Sequence, residues 1–140
     1  MADSPSTVIP GLRYRDAQAA IDWFCQVFGF EQNAVYRAPD GSIAHAQLTL
    51  GGGMIMLGPQ KDDEHSRSFK SPEELGGVET SSVYIVVPDA DAAFVRAVAA
   101  GATVIRPLND PPYGGREFAV KDPEGHSWTA GTYDPWAAHE

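Results

Sequence analysis

The sequence predicts an α+β fold made of two βαβββ modules within one domain. A strand, an amphipathic helix and three further strands follow one another twice in the same order. An offset of 73 residues carries Asp16 onto Asp89, Ala17 onto Ala90 and the core position Ile21 onto Phe94, so the second half reads as a diverged copy of the first. At 140 residues the chain can bury one sizeable core but not two independent domains.

Residues 1–7 are small and polar and read as a loose tail, which places the domain at 8–137. "VIPGLRY" opens it as a short strand. Asp16 then stands as an N-cap before "AQAAIDWFCQVFGF", where Ala17, Ala20, Ile21, Phe24, Val27 and Phe28 recur at helical spacing and Gly29 closes the helix. "NAVYRAP" and "IAHAQLTL" read as strands across an Asp40-Gly41 turn, and "GMIMLG" follows the Gly51-Gly52-Gly53 run. The first module thus spans about 8–58. Residues 59–79, charged and interrupted by prolines and a glycine pair, form a long connection: a linker or a lid. The second module, about 80–133, repeats the order. "SSVYIVVP" is a strand, Asp89 caps "ADAAFVRAVAA", Gly101 ends that helix, and "TVIRP", "REFAVKD" and "HSWTAGT" are three more strands.

Nineteen acidic against ten basic residues give a formal charge of −9. Such a surface repels phosphate backbones and anionic headgroups, which excludes nucleic acid and membrane as expected partners; it draws in a cationic ligand or simply serves solubility. Cys25 is the single cysteine, so no internal disulfide forms, and its place in an apolar helical pattern makes it a small hydrophobe. "MADSPSTVIPG" lacks the basic start and apolar run of a signal peptide, and no stretch is long enough to span a bilayer. A cytoplasmic protein is the expectation.

Three segments, "LRYRDAQAAIDWFCQVFGF", "VYIVVPDADAAFVRAVAAGATV" and "VKDPEGHSWT", together resemble the strand–helix openings and the Asp-Pro-x-Gly closing hairpin of the vicinal oxygen chelate superfamily. That superfamily includes glyoxalase I, extradiol dioxygenases, and fosfomycin- and bleomycin-resistance proteins. The resemblance runs from about Val8 to Tyr133. It implies paired βαβββ modules whose curved mixed sheets wrap a cleft with helices outside, and it implies a homodimer.

Strand parity sorts the side chains. Leu12 and Tyr14 share the face that the helix claims, opposite Ile9, Gly11 and Arg13. His45, Gln47 and Thr49 oppose Ala44, Ala46, Leu48 and Leu50; Met54 and Met56 oppose Ile55 and Leu57. In the second module Ser82, Tyr84 and Val86 oppose Val83, Ile85 and Val87, and Glu117, Ala119 and Lys121 oppose Phe118 and Val120. The expected ligand contacts are Arg13, His45, Gln47, Tyr84 and Glu117. Arg13 pairs either with a ligand carboxylate or with Glu117.

Metal-dependent members of the superfamily hold a divalent ion with one His, Gln or Glu-type ligand from each of four strands. By resemblance those positions fall on Ile9, Met56, Ser82 and Thr129. An isoleucine brings no donor, a thioether suits soft copper(I), and neutral hydroxyls are weak ligands without a carboxylate or imidazole beside them. No metal and no cofactor are therefore expected. A substitute set of His45, Gln47 and Glu117 is the competing reading. His126, His65 and His139 are expected to be solvated, in the closing turn, a loop and the tail.

Nucleophilic catalysis finds no Gly-x-Ser-x-Gly elbow, and the glycine runs match neither phosphate-binding pattern. Parity sends Trp128 into the core, and Trp23 packs in the core or an interface. Tyr133 and Trp136 form an aromatic tail that folds over the cleft mouth or buries in a partner subunit. Two functions compete. One is a metal-free protein that sequesters a small planar or cationic compound, as bleomycin-resistance proteins do; the other is a lyase, isomerase or dioxygenase with a non-standard metal site.

Overall fold

Both helices start on an aspartate. In the computed structural model, which describes residues 5–137, Asp16 caps α1 (Ala17–Phe28) by accepting the Ala19 N–H at 3.0 Å, and Asp89 caps α2 (Ala90–Ala99) by accepting the Ala92 N–H at 3.0 Å. Gly29 ends α1 in the left-handed region at φ 80°, a conformation that glycine adopts without Cβ strain. Every residue expected on the inner face of α1 is buried, and Trp23 joins them at 4% exposure. Its ring meets Phe24 and Phe28 edge-on at 5.2 and 5.5 Å, and Phe24 meets Tyr14 the same way. Each large side chain buried in this way contributes about 1.5–3 kcal/mol.

The first module continues with strands β1 (Gly11–Tyr14), β2 (Glu31–Arg37), β3 (Ile43–Leu50) and β4 (Gly53–Pro59), arranged β1-β4-β3-β2 with β1 parallel to β4. Ala46, Leu48, Ile55 and Leu57 are buried on the side of α1. The β2–β3 hairpin turns where expected: Gly41 has φ +89°, and the Asp40 carboxylate accepts from the Ser42 N–H and hydroxyl.

The second module has strands β5 (Val83–Val86), β6 (Thr103–Asn109), β7 (Glu117–Lys121) and β8 (Ser127–Gly131), arranged β5-β8-β7-β6 with β5 parallel to β8. Ile85, Phe118, Val120, Trp128 and Ala130 are buried, and Phe94 of α2 meets Phe118 edge-on at 5.2 Å. The duplication extends to strand register: Gly11 pairs with Met56 in one module and Tyr84 pairs with Thr129 in the other, both partners displaced by the same 73 residues.

Several boundaries differ from the sequence reading. β1 begins at Gly11 rather than Val8, although the Pro10 carbonyl still accepts the Met56 N–H. β5 begins at Val83, leaving Ser81 and Ser82 outside it. β6 runs past Pro107 to Asn109, because an edge strand tolerates a residue without an N–H, and its register slips between Arg106 and Asn109.

The chain divides into two compact units between Lys70 and Ser71. The connection holds two 3₁₀ turns, His65–Ser68 and Glu73–Leu75. Ser71 and Glu74 bond reciprocally at the second, each side chain taking the other's N–H. Beyond it the segment is tied to the second module's closing hairpin, where Lys121 Nζ donates to the Gly77 carbonyl at 2.6 Å. Among the described residues no helix is long and apolar enough to cross a membrane.

Candidate functional site

Each sheet has a second face, turned away from its helix, and the candidate residues stand on those two faces. In the first module the register aligns Gly11, Met56, Gln47 and Ala34 in one row, sets Arg13 opposite Gly58, and sets His45 opposite Tyr36. His45 Nε2 lies 3.1 Å from Gln47 Oε1, and Gln47 Nε2 donates to Asn33 Oδ1 at 2.9 Å. Tyr36, 58% exposed, stacks on the His45 ring at 6.1 Å. The Arg13 guanidinium sits over the Phe69 ring at 5.0 Å. The outcome is a wall of polar and aromatic groups whose orientations are already fixed by one another.

The second module's face carries a buried carboxylate. Glu117, 5% exposed, accepts from Arg106 at 2.8 Å and from the Tyr113 hydroxyl. Its ion pair thus comes from its own module, where the sequence pointed to Arg13. The bond to that carboxylate, with burial, raises the Tyr113 pKa. Tyr84 donates its hydroxyl to the Tyr133 carbonyl at 2.8 Å, and burial together with the Glu117 charge pushes its pKa up to about 12. Tyr133 packs edge-on against Tyr113 at 5.0 Å. The near half of the aromatic tail therefore folds onto this module, whereas Trp136 is 90% exposed and has not docked on its own chain. Arg116, which borders the hairpin, is held by Asp91 at 2.7 Å and Asp110 at 3.1 Å.

His126 departs from expectation most clearly. It is buried, and its Nδ1 lies 2.6 Å from Glu79 Oε2, while Glu79 Oε1 takes the Ser127 N–H at 2.7 Å. A hairpin position reads as solvated from local sequence alone; the acid that covers it arrives from the connection 47 residues away. A shallow hollow of about 500 Å³ lies beside this clasp, lined by Gly77, Val78, Glu79, Ser82, Lys121 and Ser127. His139 lies outside the described residues.

The donor chemistry at the four expected metal positions is poor. Ile9 and Ser82 precede their strands, and the strand positions paired with Met56 and Thr129 are Gly11 and Tyr84. Whichever of these faces an ion, the set contains a thioether, hydroxyls and a phenol that stays protonated to about pH 12, and it lacks an imidazole or a carboxylate. These residues do not fit a hard divalent ion. Among the described residues no three His, Cys, Asp or Glu side chains gather closely enough to hold one. Burial and the Asp22 charge both raise the Cys25 pKa, which disfavours the thiolate that nucleophilic attack needs.

The family model described as the Glyoxalase/Bleomycin resistance protein/Dioxygenase superfamily matches residues 7–129. The chain belongs to that superfamily. An uncharacterized protein of Mycobacterium bovis is 36% identical over 122 residues, covering 87% of this chain and 80% of the relative. The crystal structure of TioX from Micromonospora sp. ML1 superposes with a TM-score of 0.69 at 33% identity, covering 90% of this chain and 97% of that one. The fosfomycin resistance protein FosX from Mesorhizobium loti shares the fold at a TM-score of 0.62 and 14% identity, covering 94% and 93% of the two chains. The paired-module fold read from the sequence is the fold of this superfamily.

Proposed function

We propose that this member of the superfamily is a metal-free protein that binds and sequesters a small aromatic or cationic compound, acting in the cytoplasm as a homodimer. One observation carries the reading: the strand-paired positions Gly11–Met56 and Tyr84–Thr129, and Ile9 and Ser82 before them, offer a thioether, two hydroxyls and a phenol, a weak donor set against the water around a divalent ion. The faces around them are instead furnished with aromatic and hydrogen-bonding groups, Tyr36, His45, Gln47, Tyr84 and Tyr113, of the kind that line small-molecule sites. Arg13, His45, Gln47, Tyr84 and Glu117 are the proposed contacts. Bleomycin-resistance proteins belong to the same superfamily description, and the net charge of −9 favours a cation.

The competing metalloenzyme is opposed by the state of its own candidate ligands. His45 Nε2 is engaged with Gln47, and the Glu117 carboxylate is engaged with Arg106 and Tyr113. Thermal-shift screening against planar and cationic aromatic antibiotics tests the proposal. A true ligand at a hundred times its dissociation constant adds about 2.7 kcal/mol of stability. A flat response across the panel, together with stabilisation by nickel, zinc, iron or manganese, would replace sequestration with metal chemistry.

A further inference from the structure

The internal repeat allows one module to be used as a control for the other. We infer that the first module carries an open slot for the flat face of an aromatic ring, floored by Gly11 and Gly58, at the place the second module fills with its own Tyr84. This inference rests on the small-molecule reading above and gives it a site and a ligand class.

The 73-residue offset carries Gly11 onto Tyr84, Met56 onto Thr129 and Gly58 onto Gly131, and the strand registers agree with each step. In the second module the space above Gly131 is taken: a Cβ placed there would lie 2.6 Å from the Tyr84 hydroxyl and 2.9 Å from Glu117 Cβ. The Tyr84 phenol reaches across the glycine and is pinned by the Tyr133 carbonyl. In the first module a Cβ on Gly58 would meet only the Ala44 carbonyl, at 3.8 Å, and one on Gly11 would meet nothing within 4 Å. The same backbone therefore holds a phenol in one copy and bare space in the other.

Backbone geometry does not call for glycine at either position. Neither Gly11 nor Gly58 has a positive φ, unlike Gly29, Gly41 or Gly115. Glycine inside a strand weakens it and marks places where another group approaches the backbone closely. What the two glycines supply here is room. The edges of that room are chemically suited to a ring: the Met56 thioether, paired in register with both Gly11 and Gln47, offers a polarizable contact. His45 and Gln47 stand on the same face with their side chains held together, and Tyr36 extends the aromatic surface by stacking on His45. The ligand class that matches is a planar aromatic ring with a hydroxyl or carbonyl on its rim, its face on the glycine floor and its polar edge toward Gln47 and His45. Tyr84 is the internal stand-in for that ligand.

The test uses the full chain with 2-naphthol as probe and decahydro-2-naphthol, which has the same hydroxyl but no flat ring, as control. Titration followed by amide NMR shifts is expected to move Gly11, Gly58 and Gln47 with the naphthol and leave them unmoved with the saturated analogue. Gly11→Tyr rebuilds the second module's arrangement and should weaken the naphthol at least tenfold without lowering the unfolding midpoint; Gly58→Ala, whose methyl has space, provides a second plug. Shifts centred on Ser127, Thr129 and Lys121 would overturn the slot while leaving sequestration standing. Equal binding of the two alcohols, undiminished binding by both variants, or no response to 2-naphthol would also overturn it. The sequestration proposal falls separately, on the antibiotic and metal screen.

Discussion

Replacing Asp122 with alanine should strongly destabilise the closing hairpin. Asp122 is 4% exposed and is a hydrogen-bond acceptor on both oxygens: Oδ1 takes the N–H of Glu124 at 3.0 Å and of His126 at 3.1 Å, and Oδ2 takes the Trp128 indole N–H at 3.0 Å. Trp128 is fully buried, and Glu124 and His126 are buried too, so water does not readily replace the lost acceptor. Each buried donor left unpaired costs about 1–3 kcal/mol, which gives about 3–9 kcal/mol in all. That is a large part of the 5–15 kcal/mol that holds a typical domain together, roughly. Asp122→Asn keeps one acceptor oxygen and should lose distinctly less. Urea unfolding followed by tryptophan fluorescence measures both variants, with an unchanged slope identifying a pure stability effect. An alanine variant within about 1 kcal/mol of the parent would refute the claim that the Asp-Pro-x-Gly hairpin is held by this carboxylate.

Three further outcomes are expected. Tyr84 should ionise near pH 12, seen as the difference in 295-nm absorbance titration between the parent and Tyr84→Phe. Its folded pKa is raised above the unfolded value of about 10, so the stabilisation is complete below pH 10 and is lost as pH climbs toward 12. Asp16→Ala and Asp89→Ala should each lower stability by about 0.5–2 kcal/mol in urea unfolding, and the corresponding asparagine variants by much less. Gly115→Ala should destabilise by at least about 1–2 kcal/mol for a side chain in left-handed backbone, because Gly115 has φ +73° and its added Cβ would lie 2.7 Å from the Tyr133 nitrogen. Gly11→Ala, in open space at ordinary strand φ, serves as the neutral comparison.

The parts of this fold legible in the sequence are those fixed by local chemistry. Asp16 and Asp89 announce helix starts because a short acceptor side chain must satisfy the first N–H groups, and both do so. Strand parity placed Tyr14, Leu48, Leu57, Phe118 and Trp128 in the core and His45, Gln47 and Lys121 on the opposite faces, since alternation is a property of each strand alone. What escaped were pairings over long separations. Nothing beside His126 announces the Glu79 that buries it, and nothing beside Glu117 announces that Arg106 and Tyr113 will converge on its carboxylate. Tyr36 and Asn33 were passed over as candidates because their roles depend on register with His45 and Gln47, which a bulge between Gln32 and Ala34 shifts. The contrast between Gly58 and Gly131 needed coordinates as well, since the two residues are identical in sequence and differ only in what lies above them.

The proposed function requires that these faces lack donors able to hold a divalent ion in exchange for its hydration shell. Metal analysis of the purified chain, after incubation with nickel, zinc, iron and manganese and then desalting, addresses it directly. Only traces of metal are expected, well below one ion per chain and insensitive to Met56→Ala or Thr129→Ala. Stoichiometric retention of any of these ions, abolished by those substitutions or by changes at His45 or Glu117, would contradict it.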